Sequence, residues 1–168
     1  MRTLVDLLWL RNLVLGIHLF SAVLFVGGSF FIYLVLEPVS RATIANESER
    51  TALIGKVARR FGRFVTPLLL VLIATGIYNA SWYLPPGWDV LATPEGQLLA
   101  AKSVAVLALV VLVYVHGRYF GPKIVALARA GRTEELAAVR RFSRKVAYAN
   151  LGLMVVVLAL AVLLQNYP

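Results

Sequence analysis

At 168 residues, 60% hydrophobic and with a mean hydropathy of +0.80, the chain leaves little room for a soluble domain beside its apolar runs. The lack of cysteine excludes disulfides, thiolate metal sites, iron–sulfur clusters and covalently attached c-type haem. A formal charge of +9 invites a nucleic-acid reading, but the placement of the charge argues against it. Residues 37–63 carry six basic side chains and 117–145 carry eight, whereas 79–101 carry none. That is the pattern of cytoplasmic and outer loops in a membrane protein, so no nucleic-acid partner is expected.

Four apolar runs, 12–36, 64–82, 98–116 and 146–164, are long enough to cross a bilayer, which takes about 20 residues. The first is too long for a leader h-region, has Asp6 and Arg11 ahead of it and lacks a clear cleavage site, so it reads as a span. Residues 6–11 are expected to form an interfacial turn, with Arg2 and Arg11 available to an anionic group at the outer surface. Within the first run stands His18, followed on its own helical face by Ser21 and Ala22 and, further on, by Gly28 and Ser29. Such small residues either let helices approach closely or leave room for a flat ligand. The run is expected to end at Pro38.

Residues 42–58 are expected to form a short amphipathic helix, and Arg59-Arg60-Phe61-Gly62-Arg63 then leads into the second run. Near its far end Thr75, Gly76 and Asn79 make a narrow polar stripe. Tyr78, Trp82, Tyr83 and Trp88 suit an outer aromatic belt, and Pro85-Pro86-Gly87 and Pro94 stiffen the outer loop. The third run contains Lys102, which precedes Pro122 by the same interval as His18 precedes Pro38. His116 lies about 21 Å beyond Lys102 along a helix, at the inner end of that run. A second amphipathic helix is expected over 124–141, and Arg140-Arg141-Phe142-Ser143-Arg144 leads into the fourth run.

The two halves therefore repeat, and the expected fold is all-α. It is one membrane domain, a four-transmembrane-helix bundle built from two helical hairpins in parallel pseudo-repeat. With the basic stretches inside, both termini are expected on the outer side of the cell's inner membrane. His18 then sits about 9 Å and Lys102 about 6 Å below the outer surface. Ionisable residues at such depth are costly and usually face a bundle interior, a cavity or each other. A neutral imidazole is a standard haem iron ligand, and a lysine amine ligates once it is unprotonated, the form low dielectric favours. His18 and Lys102 could thus hold a haem b non-covalently, beside Ser21 and Ala22 and with Arg11 at the rim. His116 is the less favoured ligand because it lies at another depth. The plainer readings stay open: Lys102 could snorkel to the headgroups, and His18 could bond a neighbouring helix carbonyl.

Several segments carry a family resemblance. Gly16-Ile17-His18 through Gly27-Gly28, Arg60-Phe61, Thr75-Gly76 and Thr93-Pro94-Glu95-Gly96-Gln97-Leu98-Leu99-Ala100-Ala101-Lys102 resemble the membrane domain of copper resistance protein D. They are also similar to the related HemJ-type protoporphyrinogen oxidases. The second resemblance implies a haem b linked to a first-helix histidine and a third-helix lysine, hence His18 and Lys102. The expected function is electron transfer or oxidation near the outer face, with a quinone, a small oxidant or a porphyrinogen as partner. The alternatives are copper handling and a non-catalytic membrane subunit. Copper would find few soft donors, since Met1 and Met154 are the only methionines. If the protein is an enzyme, it is expected to be a membrane oxidoreductase. Membrane lipid is an expected neighbour, and self-association stays open.

Overall fold

The computed structural model describes residues 2–84 and 90–166, and side chains from Leu7 onward. Pro85, Pro86, Gly87, Trp88 and the side chain of Arg2 lie outside what is described. Helix α1 spans Arg2–Phe31 and continues through a π-helical turn, Ile32–Leu36, into α2, Glu37–Thr43. Helix α3 spans Glu47–Ala80 and ends in a 3₁₀ turn, Ser81–Tyr83. Helix α4, Pro94–Val115, passes through a second π-helical turn, His116–Phe120, into α5, Gly121–Arg129, and α6 spans Thr133–Gln165. No strand occurs among the described residues.

The four rods are longer than the apolar runs alone. Residues 6–11 belong to the continuous helix α1 rather than to an interfacial turn. The segments 42–58 and 124–141 are not separate amphipathic helices. Each is interrupted only briefly, at 44–46 and at 130–132, and otherwise extends the adjoining rods beyond the apolar zone. Nor do the prolines end their helices. Proline lacks an N–H and its ring clashes with the carbonyl four residues back. Here Glu37 N–H bonds to Ile32 O, five residues back, so the chain has already shifted its pairing when Pro38 arrives. The second π turn precedes Pro122 by the same interval. Two unusual turns at equivalent places are the clearest structural mark of the repeat.

Helix α1 packs along α3 and α4 along α6, giving two hairpins side by side. At the centre Phe25, Val65, Leu109, Leu151 and Met154 are buried together, so every long helix contributes to one cluster. Gly28 lets α1 approach α3, because a Cβ there would run into the Phe61 ring. The lower end of the small-residue face is thus filled by packing. In the second hairpin Phe142 packs on Phe120, 5.6 Å between centroids, so the two basic-aromatic clusters both turn an aromatic ring toward their own hairpin partner. Near the level of His18 and Lys102, Phe20, Val23, Ile77 and Val104 are each about two-thirds exposed, apolar side chains that water would not tolerate but lipid does.

The basic end is tied by polar contacts. Asn46 caps α3, its side-chain oxygen accepting from Ser48 N–H at 2.9 Å and Glu49 N–H at 3.3 Å. Arg140 of α6 donates to Glu47 and Thr51 of α3, joining the hairpins there. At the opposite end, the Thr93 side chain accepts from Gly96 N–H at 3.1 Å, Pro94 takes the first turn, and Gln97 Nε2 donates to Leu91 O at 3.0 Å. The Thr-Pro-Glu-Gly-Gln motif is therefore a start signal for α4, and through α4 it sets the position of Lys102.

Candidate functional site

His18 faces α3. Its Nδ1 lies 2.8 Å from Thr75 Oγ1, and its Cε1 would stand 3.4 Å from a Cβ at Gly76. The imidazole thus rests one edge on the turn that contains Thr75 and Gly76, the polar stripe the sequence marks. Thr75 can serve the ring in either tautomer, because its hydroxyl both donates and accepts. Thr75 Oγ1 also lies 2.6 Å from Val71 O; with the hydroxyl hydrogen there, its oxygen is free to accept from His18 Nδ1–H. Nε2 is then the unprotonated nitrogen. A metal-binding histidine is commonly held in this way, with its other ring nitrogen bonded to a fixed acceptor.

Two turns further out, Arg11 lies seven residues before His18 and Trp82 seven residues after Thr75. They meet as the helix register requires, the guanidinium 4.8 Å from the indole centroid. Between these rungs sits Asn79, whose Nδ2 is buried without a hydrogen-bond partner. Buried polar atoms are rarely left in that state. The α1–α3 seam thus carries a polar ladder about 10 Å long, from His18 outward to Arg11. Ser21 is buried beside it, and Ala22 is partly covered.

Lys102 lies half-buried on α4 and forms no ion pair among the described residues. Its level is set independently at the other end of the same two helices. Tyr33 OH and His116 Nε2 are 2.9 Å apart, which puts α1 and α4 in register there. The step back along the chain from Tyr33 to His18 is one residue longer than the step from His116 to Lys102. The two helices run the same way, so counting back from that contact puts His18 and Lys102 at similar levels, to within the reach of the Tyr33 and His116 side chains.

His116 is not in that layer. It opens the second π turn, with its ring 5.8 Å from Phe120 and 6.2 Å from Tyr33. Its Nδ1 is buried and unpartnered, as is Asn150 Oδ1. Sequence reasoning missed the Tyr33–His116 contact, and the proline intervals do not give it, since they set Tyr33 against Gly117. Met154 is fully buried in the central cluster. Among the described residues no three His, Cys, Asp or Glu side chains group as a metal site.

Four long apolar helices paired into two hairpins make this an integral membrane bundle. Within that class the chain belongs to the copper resistance protein D family, whose model matches residues 55–164. The match takes in α4 with Lys102, the second π turn with His116, and most of α3 and α6, while His18 precedes it. No curated protein and no solved structure matches the chain.

Proposed function

We propose that this family member binds haem b non-covalently in the layer of His18 and Lys102 and takes part in electron transfer or oxidation there. The observation that carries the reading is the 2.8 Å contact between His18 Nδ1 and Thr75 Oγ1. With Nδ1–H held by Thr75, Nε2 offers its lone pair as an iron ligand. Lys102, at the same level, is the second candidate ligand. Ser21 and Ala22 supply a narrow wall for a flat ring. Arg11, held against Trp82, and the free Nδ2 of Asn79 suit carboxylate groups at the rim. When bound, haem supplies one-electron chemistry. The chain's own residues fix the imidazole, exclude water and neutralise charge.

A quinone or small oxidant is the partner this reading favours, with a porphyrinogen as a further substrate. An absorption spectrum of the detergent-purified chain tests it directly. A Soret band is expected. A colourless protein that retains copper would instead support the second reading, copper handling, which the family match favours. That reading has to find its ligands beyond a grouped His, Cys, Asp or Glu site.

The reading also predicts which variant matters. Lys102→Ala is expected to perturb haem binding or spin state more than His116→Ala, because His116 stands about four turns away from the His18 layer. Loss of a low-spin spectrum in His116→Ala with an intact one in Lys102→Ala would reverse the assignment.

We further propose that the protein lies in the inner membrane with its basic end in the cytoplasm. Fourteen of its 17 Lys and Arg residues fall in the two basic stretches, and none in 79–101. Reporter fusions at Ser48 and Gly131 are expected to report the cytoplasm. An outside signal at both would invert the orientation and leave the bundle unchanged.

A further inference from the structure

At the basic end, two depressions flank Phe142. One, of about 310 Å³, is lined by Tyr119, Phe120, Lys123, Ala138, Val139 and Phe142. The other, of about 250 Å³, is lined by Ala138, Arg141, Phe142 and Lys145. We propose that together they seat one anionic phospholipid, its phosphate among Lys123, Arg141 and Lys145 and its glycerol backbone against Phe142. This site is separate from the His18 layer, and it does not depend on what that layer binds.

The chemistry of the surface carries the assignment. Lys123, Arg141 and Lys145 are exposed, and none forms an ion pair among the described residues. The nearby carboxylates of Glu135 and Glu47 are taken by Arg132 and Arg140. Glu134, one turn before Ala138, leaves the patch with a clear positive excess. Lys123 is also held in place, its Nζ donating to Tyr119 OH at 3.0 Å and lying 5.0 Å from that ring's centroid. Phe142 is 59% exposed yet fixed by its contact with the buried Phe120. An ordered aromatic ring ringed by free cations is unsuited to bulk water and suited to the boundary between headgroup and acyl chain.

The outward face of α6 continues the site into the apolar zone. From Phe142 and Lys145 it passes Ala149 and Gly152 to Val156, all exposed, and Gly152 has open space where a Cβ would stand. That face offers an acyl chain a shallow, smooth track. A zwitterionic lipid would bring its own cation against three others, which is why the proposal commits to an anionic headgroup.

The test uses the delipidated, detergent-purified chain, titrated with phosphatidylglycerol or phosphatidylcholine, with bound lipid counted by native mass spectrometry. The wild type is expected to retain one phosphatidylglycerol in preference to phosphatidylcholine, and excess inorganic phosphate should not displace it. The triple variant Lys123→Gln, Arg141→Gln, Lys145→Gln should weaken that binding by a factor on the order of a hundred. Removing the same charge elsewhere, with Lys56→Gln, Arg59→Gln and Arg63→Gln, should leave it unchanged. Phe142→Ala, which keeps every cation, should also weaken it and covers the case in which the triple variant misfolds. Equal loss in the control triple, equal binding of phosphatidylcholine, or displacement by inorganic phosphate would each overturn the proposal.

Discussion

His18→Ala should purify without a Soret band while the protein still inserts and migrates as the wild type. The two properties have different physical origins. Insertion follows the apolar length of the spans, which one substitution in a 30-residue helix barely alters. Haem retention, on the reading proposed above, needs the bond from His18 Nε2 to the iron, which alanine cannot make. Thr75→Val gives the finer result. It removes the acceptor that holds His18 Nδ1–H, keeps the volume of the side chain and leaves Nε2 in place. Losing the hydrogen bond that orients a ligating ring costs about 10–100-fold in affinity, so Thr75→Val should load partially and release its cofactor faster. A wild-type spectrum in His18→Ala would remove His18 from the site. A wild-type dissociation rate in Thr75→Val would mean that the hydroxyl does not orient the ring.

Among the described glycines, Gly96 should be the one where alanine is most damaging. A Cβ at Gly96 would run into the carbonyl of Val90, which is backbone and cannot swing aside as a side chain does. Relief requires the loop before α4 to lift, and the Thr93 cap and the Gln97–Leu91 bond are then disturbed together. Overpacking of this kind, with part of a cap, amounts to roughly 3 kcal/mol. For a chain of this length that is about 6–12 °C in Tm. Gly152→Ala is the matched control. It lies inside α6 with nothing near its Cβ position, so alanine there should be neutral or stabilising. If Gly96→Ala melts with the wild type, the Val90–Gly96 contact does not hold the start of α4. The register of Lys102 would then rest on helix packing alone.

The family match and the site bear on different parts of the chain. The matched region begins at residue 55, inside α3, so it speaks for the bundle and for Lys102 but not for His18. The His18 argument rests on hydrogen bonding, and the spectrum of the purified protein decides it without reference to the family.

Much of the site is legible in the chain itself. The equal intervals from His18 to Pro38 and from Lys102 to Pro122 already put the two ionisable groups at one level. The contact of Tyr33 with His116, further in on the same two rods, is compatible with that expectation. The prolines read as helix ends but are not, because proline's local cost is evident in sequence whereas a π turn that absorbs it is not. Residues 42–58 and 124–141 look amphipathic for a sound reason, being rod extensions that leave the apolar zone. Where a rod pauses depends on a few residues near Asn46 and Gly131, too short a signal to read among so many helix formers.

The number of spans, their order, the charge asymmetry and the two costly titratable groups in apolar runs all follow from the order of residues. Those are additive properties of each segment, set by transfer from water to lipid residue by residue. It took the packed bundle to bring His18 onto Thr75, 57 residues away, and Tyr33 onto His116, 83 residues away. Packing likewise makes Phe61 close the space at Gly28, while Asn79 keeps a free donor in the seam. Hydrogen bonds and ring contacts of that kind depend on ångström-level register between helices, and many core sequences with the same apolar pattern would place them differently.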